Sequence, residues 1–406
     1  MAVPSSPPAT TSADTIAATA RLPYCPSMKI LVVSSPLTGH LSPMLPVIGA
    51  LVAAGDEVVV ASGLATAHLV ERAGAEFRRV GNDSDVWFAR LGQRTRGNPG
   101  DGIAPERINH YFVPRLFAEI GTADMIDDVV LAGNEFGPDL VLFESLAFAG
   151  PLVADLLGVP GIHHLFGPVW PHEIFVLAGD AVSPIWRSFG RDVPGYAGVY
   201  RDLTVEICPP SLEARKVPDG DVVALRPAPR PERLATRGAR PLVYVTLGTF
   251  FNGNTQVFRE ILDGLADQPV DVVVTVGGDQ DPAALQPVPG NARIERFIAQ
   301  SELLPTCSVI VHHGGAGTTF GALAHGVPQV IVPQGADNFD NAAMCERAGL
   351  AVVLRPDEFS AETVADSVSA VLRAPRFLEA AVRTADEIAT MADPAEVATI
   401  VRAYHR

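Results

Sequence analysis

The chain has 406 residues, 48% of them hydrophobic, and a formal net charge of −16 at pH 7. That length exceeds one ordinary domain and suits two of roughly 150–200 residues. The acidic balance argues against a nucleic-acid backbone or an anionic membrane surface as the main partner. No stretch reads as about 20 uninterrupted apolar residues, the length a spanning helix needs.

Residues 1–27 are rich in Pro, Ser, Ala and Thr and lack a basic segment before an apolar core. They read as a disordered leader rather than a signal peptide, with Met28 a second candidate start. Cys25, Cys208, Cys307 and Cys345 form no C-x-x-C pair. That is neither a zinc ligand set nor a disulfide framework, and a reducing cytoplasm fits it best.

Lys29–Ser35 is a continuous apolar run ending in a turn, as expected of a strand buried on both faces of a parallel sheet. A helix follows over 41–54, a strand over 56–61, a helix over 65–73, a strand over 139–144, a helix over 147–157 and a strand over 159–163. Such alternation implies right-handed crossovers in a doubly wound sheet. Two stretches, 82–105 and 165–200, read as irregular and carry Trp87, Phe88, Phe166, Trp170, Phe175 and Trp186. Long loops in an α/β domain tend to be functional.

A Pro- and Arg-rich stretch, 226–240, reads as a linker. Alternation then restarts, with strands expected at 242–246, 270–276, 309–312, 329–332 and 351–354. The organisation is α/β: a Rossmann-like domain over 28–225, a second over 241–385, a cleft between them, and a helical tail over 386–406 packing back on the first.

The most specific stretch is Val311-His-His-Gly-Gly-Ala-Gly-Thr-Thr319, continued by Gly326-Val-Pro328 and Pro333-Gln-Gly-Ala-Asp-Asn-Phe-Asp-Asn-Ala342. It begins where a strand should end and a helix begin. Its glycines let backbone N–H groups approach an anion at the helix N-terminus, where the macrodipole favours negative charge. His313, Thr318 and Thr319 add donors, which makes a diphosphate cradle without a P-loop lysine. The alternative is a tight glycine turn whose histidines satisfy loop carbonyls.

In that order these elements resemble the nucleotide-sugar signature of the GT-B-fold, inverting glycosyltransferases that act on small molecules, the UDP-glucuronosyl/UDP-glucosyltransferase-like family. Leu303-Leu-Pro-Thr-Cys307 before the His-His-Gly-Gly run is similar to the bacterial natural-product and antibiotic branch. The resemblance implies that Thr249, His313, Gly315, Gly317 and Thr318 hold the donor diphosphate. It implies that Asp337 and Asn338 bind the sugar hydroxyls, Asn338 being one methylene shorter than the usual Gln. Phe297 and Ile298 stand where the family places the base, Phe297 being alternatively a core residue. Gly321 replaces a Glu that holds ribose hydroxyls in many relatives, which favours dTDP over UDP unless the glycine serves helix packing.

In the first half, Gly39-His40 resembles the family's G-H element, whose His is the general base. A histidine with an ordinary value near 6.5 can take an alcohol proton. Capping of the helix is the structural alternative. Glu144, ending the expected strand 139–144, matches the acid that orients this base, with a second base or a substrate contact as alternatives. The acceptor pocket is expected from Phe112, His163, Phe166 and Trp170, with His163 just past a strand and facing the cleft.

Asp279-Gln-Asp281 reads as a solvated turn rather than a D-x-D metal motif, and no metal or other cofactor is expected. The expected substrates are a nucleotide-sugar and an aglycone, with the chain a monomer or homodimer. A nucleotide-sugar 2-epimerase of the same fold and a non-catalytic activator of a transferase are the competing readings.

Overall fold

The computed structural model describes residues 27–95, 99–100, 102–104, 107–229, 240–278 and 280–404. The leader up to residue 26, residues 230–239 of the expected linker, and Asp279 lie outside the described residues.

The first half opens with β1 (Lys29–Val33), α1 (Thr38–Leu41), α2 (Leu45–Ala53), β2 (Glu57–Ser62), α3 (Ala67–Arg72) and β3 (Glu76–Arg79). It continues through α4 (Ser84–Arg94), α5 (Ile108–Phe112), a π-helical segment (Val113–Gly121) and α6 (Thr122–Phe136). β4 (Leu140–Glu144), α7 (Ala149–Leu157), β5 (Gly161–His164), α8 (His172–Ser188), β6 (Leu203–Glu206) and β7 (Asp221–Ala224) complete it.

The second half carries β8 (Leu242–Thr246), α9 (Thr255–Leu265), β9 (Asp271–Thr275), β10 (Ala292–Glu295) and α10 (Gln300–Leu303). There follow β11 (Val309–His312), α11 (Ala316–Ala324), β12 (Gln329–Ile331), α12 (Asn338–Arg347) and β13 (Ala351–Val353). Three helices close the chain: α13 (Ala361–Arg373), α14 (Pro375–Ile388) and α15 (Pro394–Ala403).

Both sheets are wholly parallel, in the orders β3-β2-β1-β4-β5-β6-β7 and β10-β9-β8-β11-β12-β13. Ile30, Leu31, Val32 and Val33 of β1 are fully buried, because helices cover both faces. Each sheet has one point where strand order reverses, between β1 and β4 and between β8 and β11. Ligands of open α/β sheets bind in the crevice beyond the carboxyl ends of strands at such a point. The two crevices belong to one cleft.

One apolar cluster joins the halves, running from Ile30, Ile48 and Leu51 to Phe320, Leu323 and Met344. Val397 and Val401 of α15 belong to it, so the last helix packs on α2 of the first half. α15 starts with a capping box, the Asp393 carboxylate accepting from Ala395 and Glu396 N–H. Arg402 pairs with Asp56 at 3.2 Å on the same face.

The stretches read as irregular contain two long helices. In α8, Ile174, Ala178, Val182 and Trp186 recur every fourth residue and are all buried. In α4, Trp87 is buried and its indole N–H donates to Asp124 at 3.0 Å. Both tryptophans are core residues rather than loop aromatics. Among the described residues no helix is long and apolar enough to cross a membrane.

Candidate active site

At the first reversal point, α1 begins a few residues after β1 and carries His40, while Glu144 is the last residue of β4. His40 Nδ1 lies 3.2 Å from Glu144 Oε1. Glu144 is fully buried, accepting from Ser35 N–H at 3.0 Å and Leu146 N–H at 2.6 Å. Burial pushes its carboxyl up, but the His40 imidazole and the Ser35 and Leu146 donors outweigh this and hold it below its usual range. Phe166 and Phe117 flank the His40 ring, with centroids 4.5 and 5.3 Å away. With Nδ1 turned to the carboxylate, Nε2 is the nitrogen left to meet a substrate.

At the second reversal point, β11 delivers His312 and His313, and α11 starts at Ala316 with Gly315 as its N-cap. The two histidines do different work. His312 Nδ1 accepts the Gly314 N–H at 3.1 Å, which leaves Nε2–H to donate to Gln329 at 2.7 Å. His312 therefore shapes the turn. His313 is slotted between two glycines: a β-carbon on Gly248 would lie 2.5 Å from its ring, and one on Gly315 would lie 2.3 Å away. Burial pushes His312 down to about 3 and His313 to about 4, so both rings are neutral at pH 7.

A β-carbon on Gly317 would meet open space, and Thr249 is exposed on the opposite side. The first N–H groups of α11, beside Gly317, have no partner within the helix. The Thr318 hydroxyl accepts from Gln300 at 3.1 Å and keeps its own hydrogen to give. The Thr319 hydroxyl, expected to point at the same anion, instead donates to the Gly315 carbonyl at 3.0 Å within its helix.

Asp337 precedes α12, after a left-handed Ala336 (φ 53°). Its carboxylate accepts from Asn338 at 3.2 Å and Asn341 at 2.9 Å. Burial pushes this carboxyl up, against the Asn341 hydrogen bond and the nearby His40. Asn338 is only 2% exposed, and its Oδ1 accepts from Gln334 and Gly335 N–H at 3.4 and 3.3 Å. It braces the loop that presents Asp337.

Phe297 is 73% exposed, which overturns the core alternative, while Ile298 packs beneath beside Tyr244, Val273 and Leu303. A β-carbon on Gly321 would meet Gln300 and Leu304 only at 3.4 and 3.5 Å, ordinary contacts, so packing does not demand the glycine. Phe166 and Trp170 line the cavity that also holds Asp337. Phe112 meets Phe88 at a tilt, centroids 6.3 Å apart, and Phe88 reaches across to Phe250 of the second half at 6.1 Å. His163 is not past the strand end. It is the third residue of β5, fully buried, 3.0 Å from the Ser145 hydroxyl, and pushed down to about 3 by burial. It faces the core, not the cleft.

Phe250 and Phe251 escaped the sequence reading. Rings run from Phe88 through Phe250 and Phe251 to His313 at centroid spacings of 6.1, 5.1 and 6.0 Å. Two adjacent aromatics in the Gly-Thr loop that follows β8 were the available signal. Among the described residues, no group of three or more His, Cys, Asp or Glu is placed to hold a metal ion.

Fold and site together define a two-domain α/β protein with a histidine–carboxylate pair at one strand-order reversal point and a glycine turn opening α11 at the other. Residues 259–404 match the family described as Erythromycin biosynthesis protein CIII-like, C-terminal domain. The chain is 31% identical over 389 residues to an L-demethylnoviosyl transferase of Streptomyces niveus, covering 93% of this chain and 99% of that one. It is 30% identical over 429 residues to the TDP-daunosamine transferase DnrS of Streptomyces peucetius, covering 93% and 98%. The structure of the Streptomyces sp. SF2575 glycosyltransferase SsfS6, complexed with thymidine diphosphate, superposes with TM-score 0.75 at 28% identity, covering 93% and 99%. The chain belongs to the bacterial natural-product glycosyltransferases of the GT-B fold.

Proposed function

We propose that this glycosyltransferase moves a deoxysugar from a dTDP-sugar to a hydroxyl of a hydrophobic natural-product aglycone, with inversion and without a metal. The observation that carries the reading is the His40–Glu144 pair, whose Phe166 neighbour also lines the cavity that holds Asp337. The acceptor oxygen attacks the anomeric carbon as the bond to the diphosphate breaks, and its proton passes to His40 Nε2. Glu144, already ionised, stabilises the imidazolium so formed. The departing diphosphate takes its charge to the N–H groups of α11 and the Thr318 hydroxyl, with His313 beside them. Phe117, Phe166 and Trp170 supply apolar surface for an aglycone.

The dTDP preference is supported by Gly321, which has no carboxylate to offer a ribose, by one relative whose name carries a TDP-sugar, and by similar structures complexed with thymidine diphosphate. The assay is product formation by mass spectrometry from dTDP- and UDP-deoxyhexoses with polyketide and flavonoid aglycones, with and without EDTA. Transfer from dTDP donors, insensitive to EDTA and inverted at the new bond, is expected. Free sugar with no glycoside from any acceptor, or rates that need added Mn²⁺ or Mg²⁺, would overturn the reading.

A further inference from the structure

The cavity between the halves is lined by Phe166, Trp170, Arg215, Asp337, Asp340 and Asn341. Asn341 is fully buried, and both hydrogens of its amide are spent, on the Gly314 carbonyl and on Asp337, each at 2.9 Å. Its Oδ1 has no hydrogen-bond partner among the described residues. Gly167 lies beside that oxygen, where a β-carbon would stand 3.9 Å from it. A buried acceptor without a donor is costly and marks a place where something else completes the bond.

Asp340 sits one residue earlier, in the first turn of α12, and accepts from Asn109 Nδ2 of the first half at a long 3.3 Å. Burial pushes its carboxyl up, with Arg215 opposing. Arg215 is the cation lining the same cavity, and its Nη1 donates to the Val169 carbonyl at 3.2 Å. Asp337, Asp340 and Asn341 thus bring three side-chain acceptors to the lining of one cavity against the single cation Arg215, so a ligand seated there is read chiefly through the donors it brings.

We propose that Asn341 and Asp340 complete the donor-sugar subsite, forming with Asp337 an acceptor wall that reads a hydrogen-bond donor, an amino or hydroxyl group, on the transferred sugar's ring. This rests on the reading of the cavity as the donor-sugar site. A sugar bearing only hydrogen at that ring position leaves Asn341 Oδ1 unpaired in the closed complex, and unpaired buried groups discriminate more strongly than missing apolar contacts. Asp340 is the second specificity residue, because a carboxylate favours an ammonium over a neutral group.

The test uses dTDP-deoxyhexoses that differ at one ring carbon, C3 in one set and C4 in another, bearing amino, hydroxyl or hydrogen. kcat/KM is measured for the wild type, Asp340→Asn and Asn341→Leu, with dTDP affinity by calorimetry and melting temperature for each. In one set the hydrogen-bearing donor should be at least about tenfold poorer with the wild type. Asp340→Asn, partly exposed and safe for folding, should cost the amino or hydroxyl sugar about tenfold relative to the hydrogen-bearing one, with dTDP affinity unchanged. A loss confined to the amino sugar identifies an ammonium, and an equal loss for both identifies a shared hydrogen bond. Wild type using all three sugars alike in both sets, or Asp340→Asn acting equally on all three, would overturn the proposal. Failure of dTDP to bind the wild type would instead remove the donor-site reading itself.

Discussion

Gly248 and His313 fit together only because residue 248 has no side chain: a β-carbon there would stand 2.5 Å from the imidazole Cε1. Gly248 also lies at φ +73°, where an L side chain is strained. Gly248→Ala should therefore displace His313 and weaken dTDP binding by at least about tenfold, roughly 1.4 kcal/mol. Gly317→Ala is the contrast. Its β-carbon meets no protein atom, so the fold should hold or gain slightly from helix propensity, while the donor KM rises. Calorimetry and melting curves on the pair read both effects, and normal dTDP affinity in Gly248→Ala would contradict the cradle.

His40→Ala should lower kcat by about 10²–10⁴-fold and leave nucleotide affinity in place, because loss of a general base removes a transition-state interaction. Glu144→Gln should behave differently. It places an amide NH₂ against the Ser35 or Leu146 N–H, leaving a buried donor unmet at a cost of about 1–3 kcal/mol. The rate should fall less than with His40→Ala while the melting temperature falls more. A His40→Ala enzyme with near-normal kcat on an alcohol acceptor would move the base elsewhere.

Four of the buried histidines should make the fold acid-sensitive. Burial pushes His163 and His312 down to about 3, and His164 and His313 to about 4, from the ordinary 6.5. Between those values the unfolded chain binds the protons and the folded chain does not. Stability is then full above pH 6.5 and falls as pH drops, by up to about 1.4 kcal/mol per pH unit for each histidine. Denaturant midpoints at pH 7.5 and 5.5 should differ clearly, and equal midpoints would mean that these rings accept protons in the native state.

Gly321→Glu should raise affinity for UDP relative to dTDP. The site has room, with Gln300 and Leu304 at contact distance only, and a carboxylate there can accept from the ribose 2′-hydroxyl that dTDP lacks. An unchanged UDP-to-dTDP ratio in competition binding would detach residue 321 from the ribose.

The sequence made some elements plain and hid others. The all-apolar runs of β1 and β4 announce strands buried on both faces. β3, β6, β7 and β10 passed unnoticed because each carries charged residues: Glu76–Arg79 and Ala292–Glu295 are half-exposed, Leu203–Glu206 ends in an acid and Asp221–Ala224 begins with one. The fourfold periodicity of α8 was present, but Pro184 inside it and the aromatics around it gave it the look of a loop.

The sequence alone determined the fold class, the glycine turn at Gly314–Gly317 that opens α11, and the order of signature elements, because glycine placement and apolar period are local properties. Only the tertiary structure decided the rest. It brought Glu144 to His40 by setting β4 beside β1, sent His163 into the core, and buried Trp87 and Trp186 while leaving Phe297 in solvent. It also gave Gly248 and Gly315 their purpose, as the two walls of the His313 slot. Burial and pairing are set by which distant segments pack together, and a residue carries no local mark of the neighbour it will meet.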